Sequence, residues 1–222
     1  MAREEVAGIS LEDLREARRR IAGRLHVTPV FGSESLGRQL GVRLAVKAEL
    51  FQKTGSFKPR GALHKLSRLT AAEKQRGLVT TSAGNHAAGL AFAAATEGVA
   101  CTVVMPENAN PTKVRATQAY GAEVVLHGDV GDAFRRAHEL EAERGLTFVH
   151  PFDDRHVIAG AGSLGLELVE QVPGLDAVVV PIGGADEARR EKVGEEGGTD
   201  LVGLLRVLAR RAGGQDRDPL GA

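Results

Sequence analysis

Thr54-Gly55-Ser56-Phe57-Lys58-Pro59-Arg60-Gly61 is the stretch on which the reading of this chain turns. Its lysine stands where a β-like segment gives way to a helical pattern. Pro59 fixes its own φ and steers Lys58 away from helical geometry, so the lysine is held in place rather than left free on a loop. An arbitrary lysine is a solvated surface charge. A positioned and partly desolvated one is pushed toward the neutral amine, the form that condenses with an aldehyde or takes up a proton.

Working outward, short β-like and longer helical segments alternate. Strands are predicted over Val42–Glu49, Leu78–Thr81, Ala100–Met105, Glu123–Leu126, Thr147–His150 and Ala177–Pro181. Helices are predicted over Arg60–Leu69, His86–Glu97, Pro111–Tyr120, Asp132–Arg144 and Ile158–Val172, after a first helix capped by Ser10. Alternation of this kind predicts an α/β fold, a parallel sheet with helices on both faces whose ligand-binding loops gather on one rim. Two more glycine clusters follow strands, at Ser82-Ala83-Gly84-Asn85-His86 and at Gly183-Gly184. Each leaves backbone N–H groups free near a helix start, the arrangement that receives carboxylates and phosphates.

Composition narrows the function classes. The 222 residues hold 28 glycines, well above the usual ~7%. With 29 basic and 29 acidic groups the chain has no electrostatic footprint for nucleic acid or an anionic membrane. No apolar run approaches the ~20 residues of a membrane span, and the N-terminus lacks the apolar region of a signal peptide, so the expectation is a cytoplasmic protein acting on small molecules. Seven histidines and a single cysteine show no metal-ligand spacing, so no metal site is expected, and Cys101 in the apolar run CTVVM reads as a buried, inert thiol.

The run GSFKPRGA (residues 55–62) and the run TSAGNHAAG (residues 81–89) resemble the cofactor-lysine motif and substrate loop of the serine/threonine dehydratase and serine racemase family, fold type II pyridoxal-phosphate enzymes. HPFDDRHVIAGAGSLGLEL (residues 150–168) and VVVPIGG (residues 178–184) resemble the later segments that lead into that family's phosphate loop. The resemblance implies pyridoxal 5'-phosphate as cofactor, bound covalently by Lys58, which also removes the substrate Cα proton. It implies that Phe57 packs on the pyridine ring, that Asn85 bonds the ring hydroxyl, and that Gly183 and Gly184 begin the phosphate site. The substrate carboxylate falls to Ser82, Ala83, Gly84, Asn85 and His86, with His86 mainly a scaffold residue. The implied reaction is ammonia-lyase (dehydratase) chemistry, converting L-threonine, L-serine or both to a 2-keto acid and ammonia. A homodimer is the implied assembly.

Two departures qualify that expectation. Serine racemases of this group carry a second serine where this chain has Ala83, which cannot exchange a proton, so elimination is favoured over racemisation. Where the family runs on through four glycines, Gly183-Gly184 is followed by Ala185-Asp186-Glu187, and 15 of the 38 residues from Ala185 onward are charged. The resemblance therefore predicts an incomplete large domain over 1–76 and 153–184, a small domain over 77–152, and an atypical, disorder-like tail over 185–222. It also leaves open an inactive, truncated family member that acts by binding a partner.

Overall fold

The structure, a computed structural model, describes residues 5–6 and 8–180. A short pair, β1 (Glu5–Val6) and β2 (Ile9–Ser10), leads into α1 (Leu11–Ile21). As expected, Ser10 caps α1, in a reciprocal capping box with Asp13. Leu14, Ala17 and Ile21 form the buried face of this helix.

Next come β3 (Val30–Gly32), α2 (Glu34–Leu40), β4 (Ala45–Lys47) and a 3-10 turn over Glu49–Phe51. The predicted Val42–Glu49 strand is shorter than expected and pairs antiparallel with β3, outside any parallel sheet. The reason is local: α2 ends at Gly41 with φ +67, reversing the chain back onto β3. Helix α3 (Lys58–Arg68) also starts two residues earlier than predicted, with Lys58 in its first turn. Proline is tolerated there because the N–H it lacks would have had no helical partner.

The remaining described elements are α4 (Ala71–Arg76), β5 (Leu78–Thr81), α5 (Asn85–Glu97), β6 (Cys101–Met105), α6 (Pro111–Ala119), β7 (Glu123–Leu126), α7 (Val130–Arg144), β8 (Thr147–Phe148) and α8 (Arg155–Gln171). Strands β5 to β8 form one parallel sheet in the order β7-β6-β5-β8, with Leu78 opposite both Cys101 and Thr147. The chain moves outward from β5 to β7 and then returns to the other side of β5. Strand order therefore reverses between β5 and β8, and the crevice beyond their carboxyl ends is the place where such sheets bind ligands. The loop Ser82–Gly84 and the turn after Phe148 both open onto it.

Helices cover both faces. Leu78, Val103 and Met105 pack with Ala87, Leu90 and Ala94 of α5, and Val79 and Val104 pack with Ala133, Ala137 and Leu140 of α7. Cys101 is 6% exposed, and burial pushes its thiol up to about 12, so it is inert at neutral pH. The predicted strand over 177–181 does not form in its described part. Residues 177–180 are irregular, because no described strand lies beside them to complete a ladder, and Val178 and Val180 pack instead against the Ile9, Leu14 and Ala17 cluster. Among the described residues no helix is long and apolar enough to cross a membrane.

The glycines that shape the site's scaffold lie inside helices rather than in loops. A Cβ on Gly61 would meet the Val157 carbonyl oxygen at 2.6 Å, and one on Gly160 would meet the Arg60 carbonyl oxygen at 2.5 Å. Helices α3 and α8 therefore cross backbone to backbone, an approach open only to glycine. Gly61→Ala should lower the denaturant midpoint by the equivalent of about 2–3 kcal/mol without changing the slope. An unchanged midpoint would show that the two helices are not so closely packed.

Candidate functional site

The lysine is held from behind by a buried ion cluster. Arg60, in the first turn of α3 and 1% exposed, donates to Glu49 through Nε at 2.9 Å and Nη2 at 2.8 Å, and to Glu167 of α8 through Nη1 at 2.7 Å. Lys47 of β4 completes the charge balance, donating to Glu167 at 2.7 Å and to the Thr28 carbonyl at 2.8 Å. Burial alone would push Glu167 upward. The hydrogen bonds from Arg60 and Lys47 outweigh it, and the Glu167 carboxyl is held below its ordinary value. Burial likewise opposes the Arg60 charge, yet the bonds to Glu49 and Glu167 raise its pKa. Two cations and two anions with their hydrogen bonds satisfied make this burial tolerable, and losing one partner would strand the others.

Gly89 of α5 supports Lys58 from the other side. A Cβ at that position would lie 2.9 Å from the Lys58 Cβ, so only glycine lets α5 reach the start of α3. The Lys58 side chain is half-buried, and its Nζ lies 5.3 Å from the centre of the Phe57 ring and donates to the Pro151 carbonyl at 3.0 Å. Burial lowers the Lys58 pKa. That favours the neutral, nucleophilic amine.

Around this amine the donor groups are free. Helices α1, α6, α7 and α8 each have a side-chain cap, from Ser10, Asn110, Asp129 and Asp154. Helices α2, α3 and α5 have none. The first-turn N–H groups of α5 are left for another acceptor, whereas at α3 only that of Lys58 is, because Pro59 has none and the Arg60 N–H donates to the Phe57 carbonyl at 3.0 Å; the buried Ser56 hydroxyl just before α3 has no partner. Ser82 Oγ accepts from the Gly84 N–H at 3.1 Å, shaping the loop before α5. Ala83 and Asn85 are exposed, and Asn85 Oδ1 accepts from Lys113 at 3.0 Å, which leaves the Asn85 Nδ2 hydrogens free to donate. An amine suited to a carbonyl, with unclaimed N–H and O–H donors beside it, fits a ligand that carries an aldehyde and anionic oxygens.

His86 sits differently from its loop neighbours. It is 3% exposed, and its Nε2 lies 3.2 Å from Thr80 Oγ1, which itself donates to the Val149 carbonyl at 2.7 Å. The ring therefore ties α5 to β5, and through the Thr80 hydroxyl to the segment just after β8. Burial, with Lys58 nearby, pushes its pKa down to about 3, so it is neutral at physiological pH. Of the residues singled out from sequence, the fold brings together Phe57, Lys58 and the Ser82–His86 loop, while Gly183 and Gly184 lie outside the described residues. Sequence reasoning missed the Arg60 cluster and Gly89. The cluster left one trace, since Ser163, Glu167 and Gln171 recur at helical spacing as a polar line through the mainly apolar part of α8.

Residues 21–188 match the family model described as pyridoxal-phosphate dependent enzyme. The chain is similar to the L-threonine ammonia-lyase of Thermotoga maritima, with 45% identity over 79% of this chain and 44% of that protein. It is equally similar to the catabolic L-threonine dehydratase of Escherichia coli, with 45% identity over 79% of this chain and 54% of that one. Among solved structures it resembles maize serine racemase with a TM-score of 0.80 and 34% identity, over 90% of this chain and 57% of that one. The chain spans about half the length of the curated relatives it matches.

The buried imidazole predicts a pH dependence. The folded pKa of His86, about 3, lies below the unfolded value of ~6.5, so its contribution to stability is complete above that value and is lost as pH falls toward 3. The denaturant midpoint should therefore decline between pH 7 and pH 4. His86→Gln keeps an N–H directed at Thr80 but cannot titrate, and should show a shallower decline. Equal slopes for the two proteins would contradict a neutral buried His86.

Proposed function

The chain belongs to the family of pyridoxal-phosphate dependent enzymes, and from that premise we propose that it is an ammonia-lyase acting on L-threonine, with L-serine as a second substrate. The observation that carries the reading is Lys58, a half-buried amine with its pKa lowered by burial, beside the uncapped start of α5. The 45% identity to threonine ammonia-lyases supports the same reading.

In this proposal Lys58 binds the cofactor aldehyde and later serves as the base for the substrate Cα proton. Phe57 packs against the ring, and the free Asn85 amide hydrogens meet the ring oxygen. The first-turn N–H groups of α5 and the Ser82–Gly84 loop hold the substrate carboxylate. When bound, pyridoxal phosphate supplies the electron sink that lets a Cα–H bond be broken. The protein's share is to bind, orient and move that proton.

Ala83 bears on the outcome at Cα. It has no exchangeable proton, so the face it borders has no acid at that position to return a proton, and loss of the β-hydroxyl competes favourably with racemisation. The likeness to a serine racemase makes racemisation the second reading, and Ala83 is the residue that argues against it. The unit over residues 77–152 is proposed as the small domain, closing over a site whose other wall is α3. A cytoplasmic location and a homodimer are parts of the same proposal.

The test is direct. On addition of pyridoxal 5'-phosphate the purified chain should develop an absorbance band near the visible edge that is missing in Lys58→Ala. It should then release 2-oxobutyrate from L-threonine at least tenfold faster than it racemises serine. A chain with no Lys58-dependent band would be an inactive relative, and equal elimination and racemisation would overturn the role given to Ala83.

A further inference from the structure

Pro151, whose carbonyl receives the Lys58 amine, belongs to a turn built around one histidine. His150 follows β8 by two residues, and its Nδ1 accepts from the backbone N–H of Asp153 at 2.7 Å and of Phe152 at 3.3 Å. A side-chain acceptor closing a turn over the next residues does for this segment what Asn or Asp does in an Asx turn. The ring is held on two sides. It meets Phe152 edge to face with centroids 4.5 Å apart, and Phe148 at 6.1 Å and Phe134 of α7 at 5.9 Å flank it. The preceding residue is fixed as well, because the Val149 carbonyl accepts from Thr80 and the Val149 N–H donates to the Val79 carbonyl. Pro151 is thus gripped at Val149 on one side and at Phe152 and Asp153 on the other.

We propose that His150 is a positioning residue for Lys58: by accepting the N–H groups of Asp153 and Phe152 at Nδ1, it holds the Pro151 carbonyl where it docks the free Lys58 amine. The inference deepens the reading of Lys58 as the reactive amine and rests on it. A carbonyl that accepts from the amine restrains the side chain. Losing the turn therefore raises the freedom of Lys58 to react.

The test uses the full chain without cofactor, so it does not depend on turnover. Acetic anhydride labelling is followed by peptide mass spectrometry, with the exposed Lys53 as internal reference. His150→Ala should raise the Lys58-to-Lys53 labelling ratio at least fivefold and speed hydrogen exchange at the Asp153 amide. His150→Asn retains a short side-chain acceptor for those amides and should keep both readouts within twofold of the parent chain. Circular dichroism melts identify folded variants. If a folded His150→Ala chain leaves the Lys58 ratio unchanged, the proposal is overturned. It is equally overturned if His150→Asn behaves like His150→Ala, because the ring's bulk rather than its acceptor would then be the determinant. Should Lys58→Ala abolish the cofactor band while these ratios do not move, the functional reading survives and only the role of His150 is lost.

Discussion

The contact between α3 and α8 is the constraint on which the site depends. Two glycines let the helix backbones meet, and one buried arginine then binds two carboxylates across the junction, one on the turn after β4 and one on α8. Neither feature suffices alone. The close approach brings no directional bond, and a buried charge without partners costs several kcal/mol. Together they fix the first turn of α3, and with it Lys58, from segments more than a hundred residues apart in sequence.

With that wall fixed, the chemistry follows from what is left unsatisfied. The folded chain satisfies its polar groups with caps and ion pairs at most helix ends but leaves the starts of α3 and α5 and the Ser56 hydroxyl without side-chain partners. These lie beside an amine whose charge burial disfavours. Helix α2 also lacks a side-chain cap and His64 Nε2 has no partner, but several such groups gather beside the amine in the crevice where strand order reverses, and that coincidence makes it the candidate site. His86 is the counterexample within the same motif. Its Nε2 is committed to Thr80 and ties α5 to the sheet, while its buried Nδ1 has no partner.

The parallel sheet and its helices were legible because apolar runs bounded by glycine and proline leave little choice. Leu78–Thr81 and Glu123–Leu126 form over their predicted residues, and α6 differs from prediction by one residue. Lys58 and the Ser82–His86 loop stood out as candidates because each lies at a helix start after a glycine and because their runs resemble a known family's motifs. What sequence hid was non-local. The antiparallel β3 and β4 pair depends on a reversal through a short helix, and Glu49, Arg60 and Glu167 look like ordinary charges until the fold superimposes them. Gly89 resembles any glycine in an alanine-rich helix, and its meaning appears only when α5 lies against Lys58. The predicted strand at 177–181 does not form over its described part, 177–180, for the complementary reason that no strand among the described residues lies beside it.

The central claim is that the fold singles out one lysine as its reactive amine. It is tested most directly by incubating the chain with pyridoxal 5'-phosphate at neutral pH, reducing with borohydride, and mapping the modified peptide. One pyridoxyl group per chain is expected, on Lys58. Label spread over the exposed lysines, with none enriched at Lys58, would contradict it.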